Sequence, residues 1–571
     1  MNVVRIIAGT LRTAPLPGAL VALCAIAGGA LALATPSVLA GAIDAAVHGN
    51  ALGSQLLLLA VLLIAETVIG AGAGIAGAGF RTTVAAQIRL RFVDRVLMLG
   101  TEGKRQFGTG GLVSRLTGDA PSAAELLPGL ASTIVTVATA VGALVGIALI
   151  DIRLLATIAL GLPILIILVR RFIVQTGGVL ERYARLQAAI ATRLLDAHGG
   201  ARTIHASATA AQEVERVLRP LPELSAAGRE LWTCQRGLAV RAAILVPLLE
   251  ALVLAVAGVS VVNDRVTPGQ MLAAVAYLHL ALGALDQLDG LIHALKSRIG
   301  ASRTAEVLDT QPAVRQSAGA GSLPMGAGAL SLCGVSVRSG GRLVLEGLDL
   351  DVPAGLSVAL VGRSGSGKST LASLAGRLAD PDRGTVRIDG VDIRNVRLAD
   401  VRRAVAYAFE RPALLGEDLH ALIAYGRPGS TRSEVEAAAR TAQADGFIRR
   451  LPNAYATAPS GAPLSGGERQ RLGLAQAVLQ DARLVVLDDA TSSLDTATEV
   501  RVAEAFERAL KGRTSLVVAH RATTAARADL VAWLEDGRVR ALAPHAELWH
   551  AADYRSVFSA PACDETHERA A

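Results

Sequence analysis

Six apolar stretches crowd the first half of this chain: Gly18 to Ile43, Leu52 to Gly79, Leu130 to Ile150, Leu154 to Val174, Leu238 to Val262 and Met271 to Leu295. A helix needs about 20 predominantly apolar residues to cross a bilayer, and each stretch is long enough. They predict a membrane α-helical domain with six transmembrane helices. Composition agrees, since 52% of the residues are hydrophobic, few are aromatic, and the surplus lies before residue 300. At 571 residues the chain exceeds one core, so further domain-sized units are expected beyond the spans.

A formal charge of +7 raises the question of nucleic acid. The arginines form no single basic patch with interleaved aromatics, so no nucleic-acid partner is expected. They collect between the spans instead. Asp44 to Asn50, Asp151 to Arg153 and Asn263 to Gly269 carry at most one arginine each, whereas Arg81 to Arg115 and Arg170 to Arg241 are dense in Arg and Lys. By the positive-inside rule the dense segments face the cytoplasm, which predicts a multi-pass plasma-membrane protein with both termini inside. The first apolar run is too long for the h-region of a signal peptide and is followed by more spans, so it reads as an anchor. Only a short basic lead-in precedes it, and no amino-terminal peptidase domain is expected. Cys24, Cys234, Cys333 and Cys563 show neither metal-ligand spacing nor a disulfide framework and read as free thiols.

Within the first basic connection Ile88, Phe92, Val96 and Leu99 recur at helical spacing, so helices should run on well beyond the bilayer. Glu66 and Glu250 fall inside predicted spans, and Asp286 and Asp289 lie three apart on one face of the sixth. Charge in hydrocarbon is costly, so such residues either contact a cationic substrate or pair with a neighbouring helix, the second being the stronger reading.

Gln311 to Ala329 is rich in Gly, Ser, Ala and Pro and lacks periodicity, as a linker does. The expected division is therefore a membrane domain over 1–310, a linker over 311–329, a second domain over 330–558 and a polar tail over 559–571. Inside the second domain Gly362-Arg363-Ser364-Gly365-Ser366-Gly367-Lys368-Ser369 fits the phosphate-loop template. Its glycines let successive backbone N–H groups turn toward phosphate oxygens, and a helix expected from Thr370 to Leu378 points its positive end at the same anion. Lys368 would reach the outer phosphates and Ser369 would ligate Mg²⁺. The apolar run Leu356 to Val361 reads as the buried strand that delivers the loop. Farther along, Leu464-Ser465-Gly466-Gly467-Glu468-Arg469-Gln470-Arg471 precedes a helical pattern and a strand, Leu484 to Leu487, that delivers Asp488 and Asp489.

With this second motif beside a phosphate loop, the chain resembles the ATP-binding cassette (ABC) family. Its first half resembles the transmembrane half of the exporter-type fold: Phe107 to Asp119 looks like the first intracellular loop and Ala201 to Ala206 like the second, each carrying a short helix that docks on the ATPase domains. The resemblance implies an exporter-type membrane domain followed by an α/β P-loop ATPase cassette, using ATP and Mg²⁺. It also implies roles. The loop from Gly362 to Thr370 holds nucleotide, and Asp488 matches the aspartate that holds Mg²⁺. Asp489 stands where the family has a glutamate that polarises the attacking water. One methylene less withdraws the carboxylate by roughly 1 Å, and such a misplacement costs on the order of 100-fold in rate. Glu410 replaces a glutamine whose oxygen helps hold Mg²⁺, and a carboxylate can still offer that oxygen. His520, after the strand Ser515 to Ala519, would contact the γ-phosphate. Asp495, in Thr491 to Asp495, would act across a dimer interface. The usual adenine-stacking aromatic is replaced by Ser339, leaving Arg338 or Arg342 to stack on the base. Ala458 to Pro463 lacks the usual acidic residue before the signature. The alternating runs Ser331 to Arg338 and Leu343 to Val352 suit the family's antiparallel subdomain, and Arg527 to Phe558 its final hairpin and helix.

Cassettes of this family bind two ATP molecules between head-to-tail partners, so a chain with one cassette needs a second half-transporter. An intact signature beside a shortened acid resembles one half of a heterodimeric exporter. Ser465, Gly466, Gly467 and Glu468 would complete the partner's active site, whereas Lys368, Asp488 and Asp489 would form a sluggish one. Retention of His520 keeps a homodimer open. The runs 488–495 and 462–468 are similar to half-transporters of high-GC actinobacteria, some associated with export of lanthipeptide-like peptides. The expected function is ATP-driven export of a peptide or amphipathic natural product. Uptake of a siderophore, and a regulatory subunit that binds ATP without pumping, are the alternatives.

Overall fold

The computed structural model describes residues 15–48, 52–286, 288–493 and 496–559. The chain divides into two compact units at Pro312/Ala313. The first is helical. Its long helices are Pro15–His48, Leu52–Phe107, Leu126–Ile150, Ile152–Gly199, Leu221–Val262, Pro268–Asp286 and Leu288–Asp309. Five helices among the described residues are long and apolar enough to cross a membrane. The sixth expected span, Met271 to Leu295, falls on Pro268–Asp286 and Leu288–Asp309, which flank Gln287, a residue outside those described, as are the side chains of Asp286 and Asp289.

The helices overrun a bilayer as their periodicity requires. Leu52–Phe107 has 56 residues, about 84 Å at 1.5 Å per residue against a hydrocarbon layer of about 30 Å. Gly100, at φ 56° and ψ −136°, breaks it near its end. The expected loop helices are present at Thr109–Ser114 and Ala201–Ala206. The first lies directly on another helix: a Cβ on Gly110 would fall 2.4 Å from Thr192 Cα on Ile152–Gly199, a distance that admits only glycine. Beyond it a π-helical turn, Arg115–Asp119, is bound to Leu288–Asp309 by Arg303–Asp119 at 3.2 Å and Arg115–Glu306 at 2.9 Å. Burial pushes the Asp119 carboxyl up and the Arg115 guanidinium down, and the opposite charges oppose both shifts.

The three arginine-poor connections are joined at the opposite helix ends. Asp44 accepts from Thr267 Oγ1 at 2.6 Å and from the Gly269 N–H at 2.9 Å, and Asp151 accepts from Ser260 Oγ at 3.1 Å. Thr267 also exchanges bonds with Gln270, closing the start of Pro268–Asp286 in the manner of a capping box. Ile147, Leu154, Leu249, Val253 and Leu278 form the buried apolar centre of this half.

Among its described residues the second unit holds ten strands: β1 Leu330–Ser339, β2 Arg342–Val352, β3 Ser357–Val361, β4 Arg383–Ile388, β5 Val391–Asp392, β6 Val405–Phe409, β7 Leu484–Asp488, β8 Thr514–Val518, β9 Leu530–Glu535 and β10 Arg538–Ala543. An antiparallel sheet runs β2-β1-β4-β5, as the alternating runs anticipate. A six-stranded sheet runs β10-β9-β3-β8-β7-β6, parallel except for the β9–β10 hairpin. Leu330, Leu348, Leu360, Leu371 and Leu516 pack in one core that draws on both sheets, and Leu422, Val435, Phe447 and Leu472 make a second, mostly helical core. The segment 313–329 is stitched to this unit. Arg377 donates to the Arg315 carbonyl at 2.7 Å, Ser317 Oγ to that of Arg394 at 3.0 Å, and Asp389 accepts from the Gly328 and Ala329 N–H groups.

Candidate functional site

The phosphate loop emerges from the end of β3, which is paired on both edges by parallel β8 and β9 and whose Val358, Ala359, Leu360 and Val361 are all buried because both faces of the sheet are covered. Two of its glycines are forced. A Cβ on Gly362 would lie 2.4 Å from the Leu534 carbonyl oxygen. Gly367 has φ +99°, and a Cβ there would meet Leu345 Cδ2 at 2.6 Å. The loop then enters the helix Lys368–Ala375, whose first residues include Ser369 and Thr370. Arg363 and Ser364 are exposed, whereas Ser366 Oγ is buried and makes no hydrogen bond among the described residues.

Lys368 is buried, with 5% of its surface exposed, and its ammonium donates to the carbonyls of Gly362 at 2.7 Å and Arg363 at 3.0 Å. Burial lowers its pKa, and Asp489 and Asp488 oppose that shift. Ser369 Oγ donates to Asp488 Oδ1 at 3.1 Å. Asp488 is the last residue of β7, registered against Phe409 of β6 and Val518 of β8. This pairing sets Glu410 and His520 beside it. The Asp488 carboxyl is pushed up, first by burial, then by the charges of Asp489 and Glu410, against the Ser369 hydrogen bond and the His520 ring. Lys368, Ser369, Glu410, Asp488, Asp489 and His520 thus gather where β3, β6, β7 and β8 end. Asp489 has φ +52°, a left-handed conformation that aspartate tolerates better than longer side chains, and its carbonyl accepts from Ser492 Oγ at 3.1 Å.

Other expected residues lie apart. Ser465 caps the helix Gly466–Leu479 in a capping box with Glu468, whose carboxylate accepts from the Ser465 N–H at 2.9 Å and its hydroxyl at 3.0 Å. No hydrogen bond among the described residues joins Ser465, Gly466, Gly467 or Glu468 to the phosphate loop. Arg338 is exposed on β1 opposite Leu343, one residue before Val344, whose carbonyl lies against Gly367. Asp495 lies outside the described residues.

Two positioning residues escape the motif reading. Gln470 is 1% exposed; its amide nitrogen donates to the Glu410 carbonyl and to Ser492 Oγ, both at 3.0 Å, and its oxygen accepts from the Ser493 N–H at 2.9 Å. The available signal was an amide on the same buried helix face as Leu474 and Ala477. Tyr407 on β6 donates to the Ala372 carbonyl at 2.8 Å and accepts from the Gly376 N–H at 2.7 Å, fixing the helix that follows the loop.

A triphosphate fits this cradle: inward-turned glycines, the buried Ser366 hydroxyl and a buried ammonium are what such an anion requires. No group of three or more His, Cys, Asp or Glu side chains among the described residues is set to hold a metal. That suits Mg²⁺, which takes one or two protein carboxylates and completes its shell with phosphate oxygens and water. Asp488 would supply one carboxylate and Ser369 Oγ one hydroxyl beside it.

Comparison with known proteins gives concordant results. Residues 19–285 match the family model of the ABC transporter transmembrane region, and residues 345–492 that of the ABC transporter. The ABC transporter ATP-binding protein RamA of Streptomyces coelicolor is 42% identical across 95% of this chain and 85% of its own length. An ATP-dependent lipid A-core flippase of Chromohalobacter salexigens is 48% identical across 36% of each chain. Among solved structures, a bacterial Atm1-family ABC exporter with ATP bound superposes with a TM-score of 0.82 at 25% identity, over 98% of this chain and 99% of that one.

Proposed function

We propose, from the premise that this chain belongs to the ABC transporter family as an exporter-type half-transporter, that it drives export of a peptide or amphipathic natural product as one half of a heterodimer. Coupling of ATP to transport follows from membership. The finer reading is supported chiefly by Asp489, a short carboxylate beside an intact signature turn. Kinship with proteins named lipid A-core flippases supports an amphipathic cargo and outward movement. The arginine-dense connections support a cytoplasmic cassette in the plasma membrane.

Bound Mg-ATP supplies the charge that draws two cassettes together. On this chain, the loop N–H groups from Gly362 to Thr370 would hold the phosphates, and Lys368, which donates to two loop carbonyls, would reach the outer ones. Ser369, Asp488 and Glu410 would hold the metal, Asp489 would orient water weakly, and His520 would contact the γ-phosphate. Arg338 stacks on the base. Ser465 to Glu468 and Asp495 serve the partner's site. The helices Thr109–Ser114 and Ala201–Ala206 carry closure to the spans, the first through the ion pairs that bind its loop to Leu288–Asp309.

The test is ATP-dependent accumulation of cargo in inside-out vesicles carrying this chain with and without its partner. Accumulation only with both supports the reading. Brisk hydrolysis by the chain alone, unaltered by Asp489→Glu, sinks the heterodimer and favours a homodimer, which the placement of His520 beside Asp488 already keeps in view.

A further inference from the structure

Among the described residues of the membrane half, a histidine and a carboxylate meet within the helices themselves. His279 Nε2, on Pro268–Asp286, stands 3.3 Å from Glu250 Oε1, on Leu221–Val262. Glu250 lies 12 residues before Val262 and His279 lies 11 after Pro268. At about 1.5 Å per residue both sit roughly 17 Å in from the arginine-poor helix ends, near the middle of a hydrocarbon layer about 30 Å thick. Charge at that depth is kept where it faces protein or a water-filled passage. Glu250 Oε1 is buried and accepts no hydrogen bond among the described residues, while the His279 side chain is 60% exposed. The carboxylate has acceptor capacity left, and the pair opens on the imidazole side.

An apolar pocket adjoins it. Leu249, next to Glu250, packs so closely on Gly161 that a Cβ there would lie 2.8 Å from Leu249 Cδ1. About one turn farther toward the arginine-rich end, a pocket of 330 Å³ has Leu165, Ile166, Val169, Arg170 and Leu282 in its lining. His279 and Leu282 lie three apart on one face of Pro268–Asp286, so the pocket that Leu282 lines begins about one turn from the pair.

We propose that this pair and pocket seat the transported molecule, and that its class is an apolar, peptide-like body bearing a primary amine or guanidinium. The cation pairs with Glu250, and the body lies against Leu165, Val169 and Leu282. The proposal rests on the transporter reading above. A carboxylate among apolar walls interacts far more strongly with a cation than it does in water, and a neutral analogue of the same shape leaves that charge unpaired. The site therefore selects for charge as well as for hydrophobicity.

The test uses the full chain with its partner subunit in lipid nanodiscs and two probes, Phe-Leu-Leu amide with a free amino terminus and the same peptide N-acetylated. Wild type is expected to bind the free amine about ten-fold more tightly, the scale of one charge-assisted contact. Glu250→Gln should bring the ratio close to one and Glu250→Asp should retain it, while Leu282→Trp, which fills the pocket, should weaken both peptides alike. Equal binding of the two peptides by wild type, binding of neither, or an unchanged ratio in Glu250→Gln overturns the proposal. Should Glu250→Gln fail to assemble, the wild-type ratio and Leu282→Trp still decide. Mg-ATP binding by the same nanodiscs reports on the transporter reading separately: ATP bound without amine selectivity sinks this inference alone, whereas no ATP binding sinks that reading.

Discussion

Gln470 reaches out of the signature helix to donate its amide hydrogen to the Glu410 carbonyl at 3.0 Å, and its oxygen accepts from the Ser493 N–H at 2.9 Å. One buried side chain therefore sets the spacing between the segment that carries Glu410 and the turn that follows Asp489. Gln470→Leu keeps the volume and strands both backbone partners. At about 1–3 kcal/mol for each unsatisfied buried group, the cassette should lose roughly 2–6 kcal/mol of stability. Thermal unfolding of the purified protein measures this, and an unchanged midpoint would refute the brace.

Asp489→Glu restores the longer carboxylate and should raise ATP turnover by about 10- to 100-fold in complex with the partner. The gain is opposed locally, because the residue sits at φ +52°, where a longer side chain pays roughly 1 kcal/mol or more. Steady-state phosphate release is the readout, and no acceleration argues against this acid as the cause of a slow site.

Lys368→Ala removes the only ammonium in the described cradle, which already donates to two loop carbonyls. A charge-assisted contact is worth about 1.5–3 kcal/mol, so nucleotide affinity should fall at least about ten-fold. Fluorescent-nucleotide titration checks it, and unchanged affinity would remove Lys368 from the site.

Asp488 carries a carboxyl raised above its ordinary range by burial and by Asp489 and Glu410. The folded state then holds that proton more tightly than the unfolded chain, so stability falls as pH rises from the ordinary carboxylate value through the folded one. Without nucleotide, Asp488→Asn should melt higher than wild type at neutral pH, and the gap should close below about pH 4. The same variant should lose the Mg²⁺ dependence of nucleotide binding. A gap that stays constant with pH would count against the burial argument.

Gly269 sits against the first helix, where a Cβ would lie only 2.2 Å from the Ala40 carbonyl oxygen, whereas Gly258 faces open space. Gly269→Ala should destabilise the membrane half by about 1–3 kcal/mol through forced backbone movement. Gly258→Ala, within a helix, should be neutral or stabilising by roughly 0.5–1 kcal/mol. Melting in detergent compares them, and equal behaviour would contradict the tight join between the arginine-poor ends.

Local chemistry was legible in the residues themselves. Apolar length announces a membrane helix, and the glycine–lysine spacing announces a phosphate loop, because both depend on neighbours in the chain. Strand β3 follows from such a local pattern, whereas the short loop helices were implied by the family resemblance. What only the tertiary structure decided is which distant groups meet. The β6–β7–β8 register brings Glu410 and His520 beside Asp488, the signature helix turns Gln470 inward between two loops, and two helices of the membrane half set Glu250 against His279. Those meetings depend on strand register and helix rotation, which are set by packing over the whole fold and leave no mark in any short run of residues.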